Sequence, residues 1–199
     1  MPMASKQTLV KALTNSQPEE FILKIKNNES YYQHIPSLKQ EGFYMGSRAG
    51  TTPYYSNNAT DTIIKMSRSL GYISQPQLDW QLTNKTKMIG DYKCYRASIK
   101  EKLYSRQGYY YYKDVIAWFT PEIPLNFGPK NYKGLPGLIL QIEDNEYTLT
   151  ATKINLNPSE EFKIERPKKN AKVITKQESF DRIKEMEDDR QKSFSAKNR

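Results

Sequence analysis

The most constraining feature of this 199-residue chain is a block rich in proline and glycine at residues 115–142, VIAWFTPEIPLNFGPKNYKGLPGLILQI. Short apolar runs at residues 115–120 and 138–142 flank it, and both have the β-branched and aromatic content typical of strands. Four prolines and three glycines stand between these runs and leave the backbone few accessible shapes. The sequence therefore predicts an ordered loop that joins two strands.

Alternating apolar and polar residues predict further short strands along the chain. A hairpin is expected around Asn27-Asn28, and Gly90-Asp91 predicts a second tight turn. The remaining predicted strands cover residues 60–66, 72–74, 78–83, 85–89, 92–100, 103–113, 146–156 and 171–175. Residues 37–58, rich in Gly, Ser, Thr, Pro and Tyr, predict a long loop with one weak strand near residues 42–45.

Two helices are predicted, one near each end of the sequence. Residues 8–17 form a short amphipathic pattern that ends at Pro18. Residues 177–194 form the second pattern, and Thr175 with Glu178 matches a capping box at its start.

These elements predict a mainly β (β-rich α+β) fold in one domain over residues 1–199. We expect a single large antiparallel, strongly curved sheet or an open or half barrel, with the C-terminal helix packed across it. Fifteen tyrosines suggest a core that uses aromatic rings whose hydroxyl ends stay hydrated. Residues 1–19 and 190–199 are expected to be peripheral or frayed.

Composition excludes several functional classes. The formal net charge is +9, but acidic residues interrupt the basic ones throughout, so we expect no nucleic-acid binding. A single cysteine excludes an internal disulfide, and a single histidine excludes a histidine-rich metal site, so neither metal nor cofactor is expected. No stretch reaches the roughly 18 apolar residues of a transmembrane span.

Cys94 is the one candidate nucleophile. A reactive thiolate needs a neighbouring base or cation, and the only histidine, His34, lies in a different predicted hairpin. We therefore interpret Cys94 as a small buried residue, although Lys87, Lys93 and Arg96 could still activate it.

No other pattern predicts catalysis. The carboxylates of Asp79, Asp91, Asp114 and Glu122 lie near strand ends, but their spacing selects no acid–base pair. The turn at residues 134–137 lacks the glycine spacing, lysine and following helix of a phosphate-binding loop. We predict no catalytic residue.

The concentration of aromatic residues points instead to binding. An aromatic-lined sheet with the rigid loop as a lip would form an apolar groove, although the same residues could simply form the core. The predicted binding residues are Trp80, Lys87, Cys94, Trp118, Phe119, Pro124, Phe127, Tyr132, Leu135 and Pro136.

The run Gly134-Leu135-Pro136-Gly137-Leu138-Ile139, after AWFTPEIP, resembles the motif that names the bacterial GLPGLI family. The blocks WQLTNKTKMIGDYKCYRA at residues 80–97 and KVITKQESFDRI at residues 172–183 are similar to other parts of that family. The resemblance implies a periplasmic or cell-envelope protein whose export signal has been removed. It implies no established activity. The expected curved sheet and helix are also similar, by architectural analogy only, to half-barrel periplasmic lipoprotein carriers.

The leading prediction is a non-enzymatic binding or accessory module of the cell envelope. It would hold a hydrophobic ligand, a peptide or an outer-membrane transport protein. One alternative is an enzyme with Cys94 as its nucleophile, which would be alkylated quickly at neutral pH. Another is a purely structural component of an envelope assembly.

Overall fold

The computed structural model of the chain describes residues 18–36, 47–105 and 107–197. In this part of the chain the strands are β1 (Glu20–Lys26), β2 (Glu29–Ile35), β3 (Tyr54–Asn57), β4 (Thr62–Ser67), β5 (Gly71–Ser74), β6 (Gln81–Ile89), β7 (Tyr92–Tyr104), β8 (Tyr110–Thr120), β9 (Leu138–Glu143), β10 (Thr148–Thr150) and β11 (Val173–Thr175). One helix, α1 (Lys176–Lys197), follows them. The mainly β class with a C-terminal helix is confirmed. The helix predicted at residues 8–17 and the weak strand predicted near residues 42–45 lie outside the described residues.

The strands divide between two sheets, so the prediction of a single large antiparallel sheet is wrong. The first sheet has the order β1-β2-β3-β4-β5-β11 and the second β10-β9-β8-β7-β6. β11 pairs in parallel with β5, whereas the other pairings are antiparallel. The chain leaves the first sheet at residues 75–80, where Pro76 lacks the amide that a strand ladder requires. Neither sheet closes into a barrel within the described residues, and the half barrel is not confirmed.

Local turn chemistry places the hairpins as predicted. Asn27 and Gly90 have φ values of 56° and 55°, the left-handed conformation that these two-residue turns require. The two strands predicted between residues 78 and 89 are instead one strand, β6, with an irregular register between Leu82 and Thr86. β3 was missed because its four residues lie inside the segment predicted as a loop.

The two faces of the second sheet are covered by separate apolar clusters. One contains Ala97, Val115, Ala117 and Ile142, each fully buried. The other surrounds Cys94 and includes partly buried Leu23 and Ile25 of β1, which belong to the first sheet. Because successive residues of a strand point to opposite faces, Cys94 and Ala97 of β7 lie on different sides.

The loop at residues 121–137 joins β8 to β9 and packs closely against both. The amides of Leu138 and Ile139 donate to the carbonyl oxygens of Ile123 and Phe127, each at 3.0 Å. Gly137 has a φ of 151°, and a Cβ atom there would overlap the carbonyl oxygen of Thr120. The predicted ordered loop is confirmed.

Helix α1 begins with the predicted capping box. The amide of Glu178 donates to Thr175 Oγ1 at 3.1 Å, and the amide of Thr175 donates to Glu178 Oε2 at 2.6 Å. Phe180 then packs on Tyr104 and Tyr110 of the β7–β8 hairpin, with ring centroids 6.0 Å apart in both cases. Within the described residues, no helix has the length and apolar character needed to cross a membrane.

Candidate functional site

The predicted binding residues do not line a single surface. Trp80, Phe119, Tyr132 and Leu135 belong to one apolar cluster of the second sheet. The Trp80 ring lies 6.2 Å from that of Tyr132, and its Nε1 donates to the carbonyl oxygen of Lys133 at 2.9 Å. These contacts hold the loop against the sheet.

The second group lies on the opposite face. Cys94 and Phe127 are buried in the other cluster, and Trp118 packs against its edge. Lys87 Nζ lies 4.2 Å from the Trp118 ring centroid and 2.9 Å from Glu143 Oε1. The last two predicted residues, Pro124 and Pro136, are exposed on the loop. Most of the predicted aromatic side chains therefore fill the interior of the protein.

The surroundings of Cys94 do not activate a thiolate. Burial raises the pKa of its thiol, although the charge of Lys87 opposes this shift. His34 lies on β2 of the first sheet, where it contacts Phe21 and Glu19. Within the described residues, no group of three or more His, Cys, Asp or Glu side chains is arranged to hold a metal ion.

A polar cavity of about 240 Å³ lies where the two sheets, the loop and the start of α1 meet. We call it the seam cavity. Its lining combines five cations, two carboxylates, four tyrosines, one asparagine and eight other residues: Arg48, Lys65, Lys113, Lys130, Lys176, Glu101, Glu146, Tyr54, Tyr111, Tyr132, Tyr147, Asn131, Ser67, Leu70, Ile73, Gln75, Leu103, Ser179, Phe180 and Ile183. Arg48 and Glu146 are exposed, so the cavity reaches the surface beside them.

Two of the cations are paired with carboxylates. Lys176 Nζ lies 2.8 Å from Glu101 Oε1, and Glu101 Oε2 accepts a hydrogen bond from the Tyr132 hydroxyl at 3.2 Å. Lys113 Nζ lies 2.6 Å from the buried carboxylate of Asp144 and 3.1 Å from Glu146. Although burial opposes the shift, these two acids raise the pKa of Lys113.

Lys65 is not paired in this way. It lies on β4 and forms neither a hydrogen bond nor an ion pair with any residue that the structure describes. Burial, together with the charge of Lys176, lowers the pKa of Lys65, and Glu101 opposes this shift. The surroundings of the Lys65 ammonium group thus disfavour its charged form.

Lys130 and Asn131 reach the cavity from the loop. Lys130 Nζ donates to the Tyr147 hydroxyl at 2.6 Å and finds no carboxylate within ion-pair distance among the described residues. Burial, with the charge of Lys113, lowers the pKa of Lys130 to about 8. Asn131 is 4 % exposed, and its Nδ2 has no hydrogen-bond partner in the described part of the chain.

Of these residues, only Tyr132 was among those predicted from the sequence. Lys65 carries a weak signal, because it shares a strand face with buried Ile63. Lys130 and Asn131 stand in a loop, where polar residues are ordinary, so sequence offers no signal for them.

Residues 109–141 match the family model described as "Protein of unknown function (Porph_ging)". The match covers the whole of β8, the whole loop and the start of β9. It therefore includes Lys130, Asn131 and Tyr132 of the seam cavity. The description assigns no activity. Neither a curated protein nor a solved structure matches this chain significantly.

Proposed function

We propose that this protein is a non-enzymatic binding or accessory module that holds a small ligand, or the end group of a larger one, in the seam cavity. The observation that carries this proposal is the buried Nδ2 of Asn131, which has no hydrogen-bond partner within the described residues and lies at a space of about 240 Å³ that Lys65 and Lys130 also line. Buried polar groups in folded proteins are nearly always paired, so the unpaired Nδ2 of Asn131 indicates a missing acceptor.

The cavity also sets the size of the ligand. Its volume is below the roughly 300–1,000 Å³ of pockets that enclose drug-sized molecules. A lipid chain or an extended peptide would exceed it, which moves the binding role away from the hydrophobic groove expected from the aromatic residues. A larger molecule could still insert one end past Arg48 and Glu146.

Cell-envelope location and membership of the GLPGLI family are parts of this proposal that rest on the sequence resemblance. The likeness to half-barrel lipoprotein carriers rests on architectural analogy alone, and here the cavity lies between two sheets and a helix. The enzyme alternative lacks support at Cys94, whose thiol is fully buried and has a raised pKa.

A protein partner is a second candidate role, because the β7–β8 hairpin exposes four consecutive tyrosines. Their exposed fractions range from 39 % for Tyr111 to 66 % for Tyr112. Tyrosine is enriched at protein interfaces. Replacing Tyr109 and Tyr112 with serine should abolish a crosslinked partner in a pull-down from an envelope fraction. A pull-down that is unchanged by these substitutions would exclude this surface.

Native mass spectrometry of the protein purified from an envelope fraction tests the binding role. We expect a mass excess that disappears on denaturation. Leu70→Trp, which places a large ring in the cavity, should remove this excess, whereas Leu82→Trp on exposed β6 should retain it. A wild-type protein with no mass excess would contradict the proposal, and so would an excess that Leu70→Trp leaves unchanged.

A further inference from the structure

Lys65 occupies a position in the first sheet that is unusual for a charged residue. The register of the first sheet aligns Leu23, Tyr32, Tyr54, Lys65 and Ile73 in one row across neighbouring strands. Paired residues of adjacent strands share a face, so Lys65 is the one charged side chain in a row of apolar and aromatic ones. An apolar residue such as methionine would pack here without the cost of burying an ammonium group.

A second lysine without a carboxylate partner among the described residues, Lys130, lines the same cavity. Lys130 has a φ of 57°, a left-handed conformation that is uncommon outside glycine and asparagine. The neutral Tyr147 hydroxyl is its polar partner, and its ammonium lies 4.1 Å from that ring centroid. The structure therefore brings two cations without carboxylate partners to one cavity.

The acids that line the cavity are paired with other residues, although the charge of Glu101 also acts on Lys65 and Lys130. Glu101 binds Lys176 and Tyr132, while Glu146 binds Lys113. Lys65 and Lys130 therefore still lack a negatively charged acceptor of their own. The unpaired Nδ2 of Asn131 adds a neutral donor to the same set.

We propose that the seam cavity binds a phosphate group, held by Lys65, Lys130 and Asn131. This inference rests on the proposed binding function and names the chemistry of its ligand. A phosphate near pH 7 carries between one and two negative charges and offers several acceptor oxygens, which matches two cations and one amide better than a carboxylate does. One water occupies roughly 30 Å³ of liquid volume, so the cavity has room for a phosphate and a few waters.

Calorimetric titration of the dialysed full-length protein with inorganic phosphate at pH 7 tests this inference, with sodium acetate as the carboxylate probe. We expect saturable phosphate binding and weaker acetate binding. Lys65→Met and Lys130→Met should each weaken phosphate binding by roughly tenfold or more, because each removes a charge-assisted hydrogen bond. Lys85→Met and Lys93→Met, on exposed parts of β6 and β7, should change it less than about twofold.

Asn131→Asp provides a variant of nearly equal size that replaces the donor with a negative charge. It should abolish phosphate binding while circular dichroism remains that of the wild type. Equal loss in Lys85→Met would overturn the inference, because binding would then reflect general surface charge. Acetate binding as tight as phosphate would overturn it as well.

Two further probes distinguish the source of the phosphate group. Glycerol 3-phosphate represents a soluble ester, and vesicles containing phosphatidylglycerol represent a lipid headgroup. Competition by either probe with inorganic phosphate would support the inference and name the source.

The inference and the proposed function can fail separately. A neutral molecule found by native mass spectrometry would overturn the phosphate assignment and leave the binding role intact. Phosphate binding in vitro, with no ligand on the protein from the envelope fraction, would support the site and contradict a ligand-carrying role.

Discussion

The two lysines at the ends of the segment from Lys130 to Lys133 have different kinds of polar partner. At one end, Lys133 is 4 % exposed and contacts Asn58 at 2.9 Å and Asp61 at 3.3 Å, both in the β3–β4 turn. At the other end, Lys130 faces the seam cavity with a tyrosine hydroxyl as its polar partner. A buried lysine with an acidic partner ties two elements together. A partly buried lysine without one costs stability, and Lys130 is therefore a residue on which the proposed phosphate site can be tested.

The loop supports both lysines, so disrupting its packing should affect both ends. Gly137→Ala would force a Cβ atom onto the Thr120 carbonyl oxygen at a φ of 151°. We expect the free energy of unfolding to fall by about 3 kcal/mol or more, measured by urea denaturation. Gly134→Ala is the matched control, since it also has a positive φ, of 92°, but open space around the added Cβ. Gly134→Ala itself should lose about 1 kcal/mol. If Gly137→Ala lost no more than this control, the loop would be able to shift away from the added Cβ, which would contradict the prediction.

Stability without ligand should depend on pH in an unusual way. The pKa of Lys130 is about 8 in the folded protein against an ordinary 10.5, so between these values the unfolded chain binds more protons. Stability should therefore rise from pH 8 toward pH 10, by ~1–2 kcal/mol. Above pH 10 it should fall, because burial raises the pKa of Tyr31 to about 12 and the unfolded tyrosines ionise first. Urea denaturation across pH 7–11 measures this profile, and a steady decline from pH 7 would contradict it.

Lys133→Met should lower the free energy of unfolding less than Gly137→Ala does, because it removes only the polar contacts of one side chain. It removes the contacts with Asn58 and Asp61, and we expect a loss of ~1 kcal/mol because Asp61 remains largely hydrated. Phosphate affinity should stay within about twofold of the wild type, since this lysine lies outside the cavity lining. A large loss of phosphate affinity, measured by calorimetry, would show that the two ends of the loop are not independent.

Sequence patterns predicted the structural features that depend on residues adjacent in the chain. The turns at Asn27 and Gly90 and the cap formed by Thr175 and Glu178 all follow from local chemistry. The division into two sheets does not, because strand partners far apart in the chain leave no local signal. β3 was missed because four residues surrounded by turn formers are too few to establish a period.

The candidate site was harder to predict than the fold. Aromatic content indicated binding, yet a buried ring has the same sequence pattern in a core as in a pocket, and Phe119, Phe127 and Tyr132 are core residues. The charge of Lys65 acquires meaning only through its register with Tyr54 and Ile73 on neighbouring strands. Residues far apart in the chain form this cavity, so local sequence patterns do not predict it.

The most direct test of the account is the unfolding free energy of the double variant Lys65→Met/Lys130→Met, compared with the wild type at pH 7 with and without phosphate. Without phosphate, we predict that the double variant is more stable by ~2 kcal/mol, because two partly buried charges without carboxylate partners are gone. Added phosphate should stabilise the wild type and leave the double variant unchanged. A double variant that is less stable without phosphate, or that responds to phosphate like the wild type, would contradict the account.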